Sequence, residues 1–310
     1  MIVEKITIGE KYPLDGLLTI PDEGDTPFPA IVLVHGSGPN DMDEKVGNCY
    51  TFKDLAKGFA ERGIATIRYD KRTKTYGKQM VKSPEASSMT VWDETIEDAL
   101  FATELIRKDP RINPDKVFIA GHSMGAMLAP RIDAEGGNYA GLILLAGSPR
   151  KLEEIMIEQQ DNAIANLNPI LRWIGSKQMM KIRAKLDGLY EMSDEEAKQK
   201  TFLGKYVKLY YLKEWGSKPA VDYLKDLTKP ILIMQGDMDF HVSVENDFNK
   251  YKEIMGDRPN ATFKLYPNLN HLFMQTTYGL DVSKGLKEYK KPQHIEEYVI
   301  DDIAQWVNKN

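Results

Sequence analysis

The sequence predicts an α/β protein, a doubly wound and mostly parallel sheet flanked by helices and interrupted by a helical insertion. Three observations carry this. Runs such as Ile31-Val32-Leu33-Val34 and Leu142-Ile143-Leu144-Leu145 are apolar at successive positions, as in strands buried on both faces. Segments of helical periodicity separate these runs, as right-handed crossovers require. One long stretch, residues 150–218, has charged and apolar residues at helical spacing but no buried-strand run.

Along the chain, residues 3–8 and 17–21 are more polar and read as an antiparallel edge hairpin. The candidate central strands are residues 30–35, 64–68, 117–121, 141–146, 230–235 and 261–266. Ile96, Leu100, Thr103 and Ile106 follow the i, i+4, i+7 spacing of a crossover helix, and Ile295, Val299, Ile303 and Trp306 form an apolar stripe on a terminal helix. Residues 150–218 exceed an ordinary crossover and read as a helical cap inserted into a core made of residues 1–149 and 219–310. Pro169, Gly175 and Gly188 are its expected breaks. Two crossover helices joined by a long loop would also fit.

The composition is that of a folded globular chain: 310 residues, 42% hydrophobic and 28% charged. Forty-one basic residues against 46 acidic ones leave −5, so no bulk positive charge argues for nucleic acid. No apolar run approaches the ~20 residues of a membrane helix. The single cysteine, Cys49, excludes an internal disulfide and a Cys-rich metal site. The first residues lack the pattern of a signal peptide, so a cytoplasmic protein is expected and the Asn260-Ala261-Thr262 sequon is read as chance.

The chemistry-bearing signal is Gly121-His122-Ser123-Met124-Gly125, a G-x-S-x-G between a predicted strand and a predicted helix. That context makes a sharp elbow that lifts the serine hydroxyl above the carboxyl edge of the sheet. A serine needs a base to take its proton. Of five histidines, His35 and His122 are committed to local structure, His241 follows a strand and His294 begins the last helix. His271, in the turn-rich loop after the last strand, is where a base would descend onto the serine. The carboxylate that orients it belongs after the penultimate strand, where Asp237 and Asp239 compete and spacing alone does not choose. The backbone N–H groups of Ser37 and Met124 are the candidate donors to an oxyanion, with Gly38 as second choice.

On these residues the chain resembles the α/β-hydrolase superfamily over nearly its whole length. Within it, His35-Gly36-Ser37-Gly38-Pro39-Asn40-Asp41-Met42-Asp43-Glu44 and Tyr69-Asp70-Lys71-Arg72 resemble a group of bacterial carboxylesterases with an H-G-S-G-P-x-D-x-D-E loop. The resemblance implies that the acid is the fourth residue of G-x-x-D, which selects Asp239, and that the insertion is a helical cap. The common loop has arginine where this chain has Met42, so any role of that arginine is absent here.

The expectation is therefore a serine carboxylesterase acting on short acyl esters through Ser123, His271 and Asp239. A thioesterase or an acylaminoacyl or short-peptide peptidase would use the same residues, and a binding protein of this fold would use none. In the insertion, Trp173, Tyr206, Tyr210, Tyr211 and Trp215 are candidates to line an acyl pocket, although aromatics at helical spacing more often pack. Asp41, Asp43 and Arg72 stand as entrance residues or surface ion pairs. With no H-E-x-x-H, paired C-x-x-C, Walker A or strand-linked G-x-G-x-x-G, no metal and no organic cofactor is implied. A small acyl ester is the expected partner, without nucleic acid or membrane, and the oligomeric state is not specified by the sequence.

Overall fold

The two most apolar runs become strands of one sheet, separated by a single strand. In the computed structural model, which describes residues 1–165, 167–203 and 207–310, eight strands form it: β1 Ile2–Ile8, β2 Leu14–Ile20, β3 Phe28–Val34, β4 Ala65–Tyr69, β5 Ile112–His122, β6 Leu142–Leu145, β7 Ile231–Gly236 and β8 Ala261–Tyr266. Their order is β1-β2-β4-β3-β5-β6-β7-β8. Strands β1 and β2 pair antiparallel, as does β2 with β4, and every pairing from β4 through β8 is parallel. This is the α/β-hydrolase fold.

Successive apolar residues were needed because the sheet is covered on both sides. Ile31, Leu33, Phe118, Ala120, Ile143 and Leu145 share a cluster with Phe52, Leu55 and Phe59 of the helix Thr51–Ala60 and with Val299, Ile303 and Trp306 of the helix Glu297–Lys309. The alternate residues Val32, Val34, Val117, Ile119, Leu142 and Leu144 are equally inaccessible. The predicted crossover helix spans Glu97–Arg107. Ile295 is buried but precedes the terminal helix instead of lying on it.

The chain divides into two compact units: Met1–Gly77, Glu94–Pro149 and Ala220–Asn310, which hold the sheet, and Lys78–Asp93 with Arg150–Pro219. Residues 78–93, expected in the sheet-bearing core, pack with the helical unit instead. The second unit contains the helices Leu152–Ala165, Pro169–Leu186, Asp194–Gln199 and Leu209–Gly216 and a short antiparallel pair, Thr201–Leu203 with Val207–Lys208. Leu189, Ala197, Phe202, Leu209 and Leu212 form its core. Pro169 opens a helix at the position where its missing N–H costs nothing, and Gly188 takes φ +66° after that helix. Gly175 is not a break. It lies within Pro169–Leu186, where an added Cβ would stand 2.9 Å from Ile164, so its smallness lets two helices approach. Among the described residues no helix is long and apolar enough to cross a membrane.

Candidate active site

Because β3, β5, β7 and β8 are parallel, the loops leaving their carboxyl ends emerge at one edge. At the end of β5 the chain reverses into the helix Met124–Ile132 through Ser123, whose φ of 54° and ψ of −114° strain a residue with a Cβ by about 1–3 kcal/mol. Parallel hydrogen bonding holds it there: Ser123 N–H donates to Leu145 O at 2.8 Å, and Ser123 O accepts from Ala126 and Met127. The flanking glycines are required by space. A Cβ on Gly121 would lie 2.2 Å from the carbonyl carbon of Gly125, and one on Gly125 would lie 2.1 Å from Val34 O.

The loops after β7 and β8 are brought together in the same way. An added Cβ on Gly236 would meet Leu269 O at 2.2 Å, so the backbones touch at that glycine. Met238 N–H donates to Leu269 O and Asp237 Oδ1 accepts from Asn268 N–H at 2.7 Å, which clips the turn before His271. Asp239, 2% exposed, takes the other role: its Oδ2 lies 2.7 Å from His271 Nδ1, while its Oδ1 accepts from the amides of His241 and Val242. Burial opposes its charge, yet the His271 ring beside it and those amides hold the carboxyl below its usual range. A carboxylate only accepts, so His271 carries its proton on Nδ1 and keeps the Nε2 lone pair available. Spacing left the two aspartates open; the folded loop sends Asp239 to the imidazole and Asp237 to the backbone.

The loop after β3 lies against the elbow, since a Cβ on Gly36 would fall 3.2 Å from Ser123 Cβ. Both sides of Gly36 are held: its N–H donates to Glu44 Oε1 at 2.6 Å, and its carbonyl accepts from Lys71 Nζ at 3.0 Å and Asn40 Nδ2 at 3.2 Å. Ser37 is exposed. Met124 is the first residue of its helix, so its N–H is one of the donors that no intrahelical carbonyl takes.

Two residues in these loops had no role in the sequence reading. Glu44 is 1% exposed with φ 48°, and its Oε2 lies 3.1 Å from His122 Nδ1, an ion-pair contact not aligned as a hydrogen bond. His122 Nε2 donates to His271 O at 3.0 Å, so its proton there is fixed by the carbonyl. Its other nitrogen faces a carboxylate and needs a second proton. Burial disfavours that charge, but Glu44 outweighs it and raises the His122 pKa; burial likewise opposes the Glu44 charge, and His122 outweighs it. Glu44 and His122 thus tie the β3 loop, the elbow and the backbone of the His271 loop together. The signal was the charged residue that closes the H-G-S-G-P-x-D-x-D-E loop, but its buried partner is 78 positions away.

The fold agrees with that of the proteins the chain is similar to. Residues 25–276 match the family model described as Serine aminopeptidase, S33. The chain belongs to this family. It is also 36% identical over 298 residues to Esterase EstD of Thermotoga maritima, covering 96% of this chain and 66% of that protein. The chain therefore spans just under two thirds of the length of that relative. Among solved structures, Est1E from Butyrivibrio proteoclasticus superposes with a TM-score of 0.56 at 17% identity, covering 97% of this chain and 99% of that one. Proline iminopeptidase of Mycobacterium smegmatis superposes with a TM-score of 0.58 at 14% identity, covering 99% and 98%.

The remaining sequence candidates fall elsewhere. Arg72 is no surface residue: at 3% exposure it pairs with Asp98 and, at 2.6 Å, with Glu97. Asp43 pairs with Arg68 at 3.0 Å, and Asp41 accepts from the Lys45 amide. His35 packs on Phe52 and Tyr69 and contacts Asp41 O, and exposed His294 bonds to Asp54. In the second unit, Trp215 is 4% exposed and meets Tyr211 edge-on, and Tyr210 packs on the core with Lys198 over its ring. These contacts are those of packing aromatics. Trp173 is 61% exposed under Lys177, and Tyr206 lies outside the described residues.

Proposed function

We propose that the chain is a serine carboxylesterase of short-chain acyl esters, with Ser123 as nucleophile, His271 as base, Asp239 as its orienting acid and the Ser37 and Met124 amides as oxyanion donors. The observation that carries the reading is the buried His271–Asp239 pair at 2.7 Å, which leaves Nε2 as a base on the same sheet edge as the strained serine. In this mechanism His271 Nε2 takes the Ser123 hydroxyl proton as Oγ bonds to the ester carbonyl carbon. The two amides stabilise the resulting oxyanion, a contribution of roughly 10²–10³ in rate per donor. Collapse breaks the bond to the alcohol oxygen, which leaves with the proton from His271. Water then gives a proton to His271 as it attacks the acyl-enzyme, and the acid departs as Ser123 recovers its proton.

The family's description and the name of the Mycobacterium neighbour favour one second reading, a peptidase with the same residues and an amine leaving group. The identity to an esterase ranks the ester reading first. The helical second unit is proposed as the cap that selects the acyl and leaving groups, and a cytoplasmic location is part of the same proposal. Hydrolysis of p-nitrophenyl esters of increasing acyl length, beside aminoacyl and thioester substrates, tests this. Ester hydrolysis favouring short chains, and falling at least about 10⁴-fold in Ser123→Ala and His271→Ala, is expected. Hydrolysis undiminished in Ser123→Ala overturns the mechanism, and cleavage of amides in place of esters overturns the substrate class.

A further inference from the structure

A buried ammonium stands behind the oxyanion loop. Lys71 is 2% exposed, and lysine is among the residues least often buried without a partner or a purpose. It lies two residues past the end of β4, and its backbone N–H donates to Asn40 O at 3.1 Å, so its own position is tied to the β3 loop. Its Nζ makes three contacts: Glu94 Oε1 at 2.8 Å, Gly36 O at 3.0 Å and Met124 Sδ at 3.8 Å.

The second and third contacts coincide with the two oxyanion donors of the proposed esterase, on which this inference rests. Gly36 O and Ser37 N–H belong to one peptide unit, and in a planar trans peptide they point in opposite directions. A charge anchored on that carbonyl therefore fixes where the Ser37 N–H aims. It also draws electron density toward the carbonyl oxygen, which strengthens the N–H as a donor in a low-dielectric site. The same ammonium touches the side chain of Met124, whose N–H is the second donor. We propose that Lys71 is a positioning residue of the oxyanion hole, orienting and polarising the Gly36–Ser37 peptide from behind. Glu94 supplies the countercharge that allows the cation at this depth, and Glu44 fixes the preceding peptide through Gly36 N–H.

The test compares Lys71→Met with the double variant Lys71→Met/Glu94→Gln, which removes the carboxylate charge that the single change leaves behind. Thermal melting establishes which of them fold. With p-nitrophenyl acetate, kcat is expected to fall about 10²-fold, the scale of one oxyanion donor, with KM changed less than about threefold, because the N–H is used most in the transition state. A structural role alone would not change the acyl carbonyl, so the second readout is the isotope-edited infrared stretch of acyl-Ser123. It is expected at higher wavenumber in the variants than in the parent. Parental kcat in a folded variant, or reduced kcat with an unmoved stretch, overturns the proposal. Hydrolysis undiminished in Ser123→Ala overturns the serine mechanism on which this inference rests, and is read from a separate protein.

Discussion

The two units of the molecule differ in their most deeply buried ion pairs. In the sheet unit, charged groups are buried at the strand ends: Glu44 with His122, Lys71 with Glu94, Arg72 with Asp98, and Asp239 with His271. In the helical unit, the pairs Lys200–Glu196 and Arg183–Asp161 are about half exposed, Glu153 is a buried carboxylate bonded to Tyr190, and large apolar side chains such as Ile170, Trp173 and Met180 are exposed. A buried pair is expensive to break, because the survivor is left charged in a poor solvent, whereas an exposed pair is worth about 0–1 kcal/mol. Breaking a buried pair of the sheet unit is therefore expected to cost more than breaking an exposed pair of the helical unit.

The largest expected effect tests the buried side of this contrast at its centre. Asp239→Asn, nearly isosteric, should lower kcat for ester hydrolysis about 10⁴-fold by favouring the wrong imidazole tautomer, while Asp237→Asn should cost less than about tenfold. Equal losses would show that the two aspartates share the role. Next, Glu44→Ala strands the His122 charge and the Gly36 N–H, and urea denaturation should show a loss of about 3–5 kcal/mol. A loss under about 1 kcal/mol would break the contrast between the units.

Acid should find the same weakness. Burial, the first cause, lowers the pKa of both His35 and His241 to about 4, against the ordinary 6.5. Their neutral forms fit the folded protein, so the stability they permit is complete above pH 6.5 and is lost as pH falls toward 4, on the order of 3 kcal/mol for each by pH 4. Denaturation measured at pH 7 and pH 4.5 should show this decline, and His241→Asn should flatten part of it. The smallest effect belongs to the helical unit. Lys200→Ala, which removes an i,i+4 pair about half exposed on each side, should change the unfolding free energy by less than about 1 kcal/mol. A larger change would place hidden structure in that surface.

By itself the sequence determined the parts set by local pattern. Unbroken apolar runs specify doubly covered strands, helical spacing specifies the crossovers, and the small residues around Ser123 specify an elbow, because each signal is written within a dozen consecutive residues. The proposed site residues Ser123, Asp239 and His271 are legible there too, because each follows a recognisable strand. What only the tertiary structure decided are the pairings of groups far apart in the chain. Glu44 reaches His122, Lys71 reaches Gly36, Asp237 is held by Asn268, and residues 78–93 join the helical unit, whereas Asp239, which meets His271, was already selected by the family resemblance. None of these has a period. Each depends on which loops a parallel sheet brings to one edge and on whether a buried charge finds its partner there, and that is settled by packing in three dimensions.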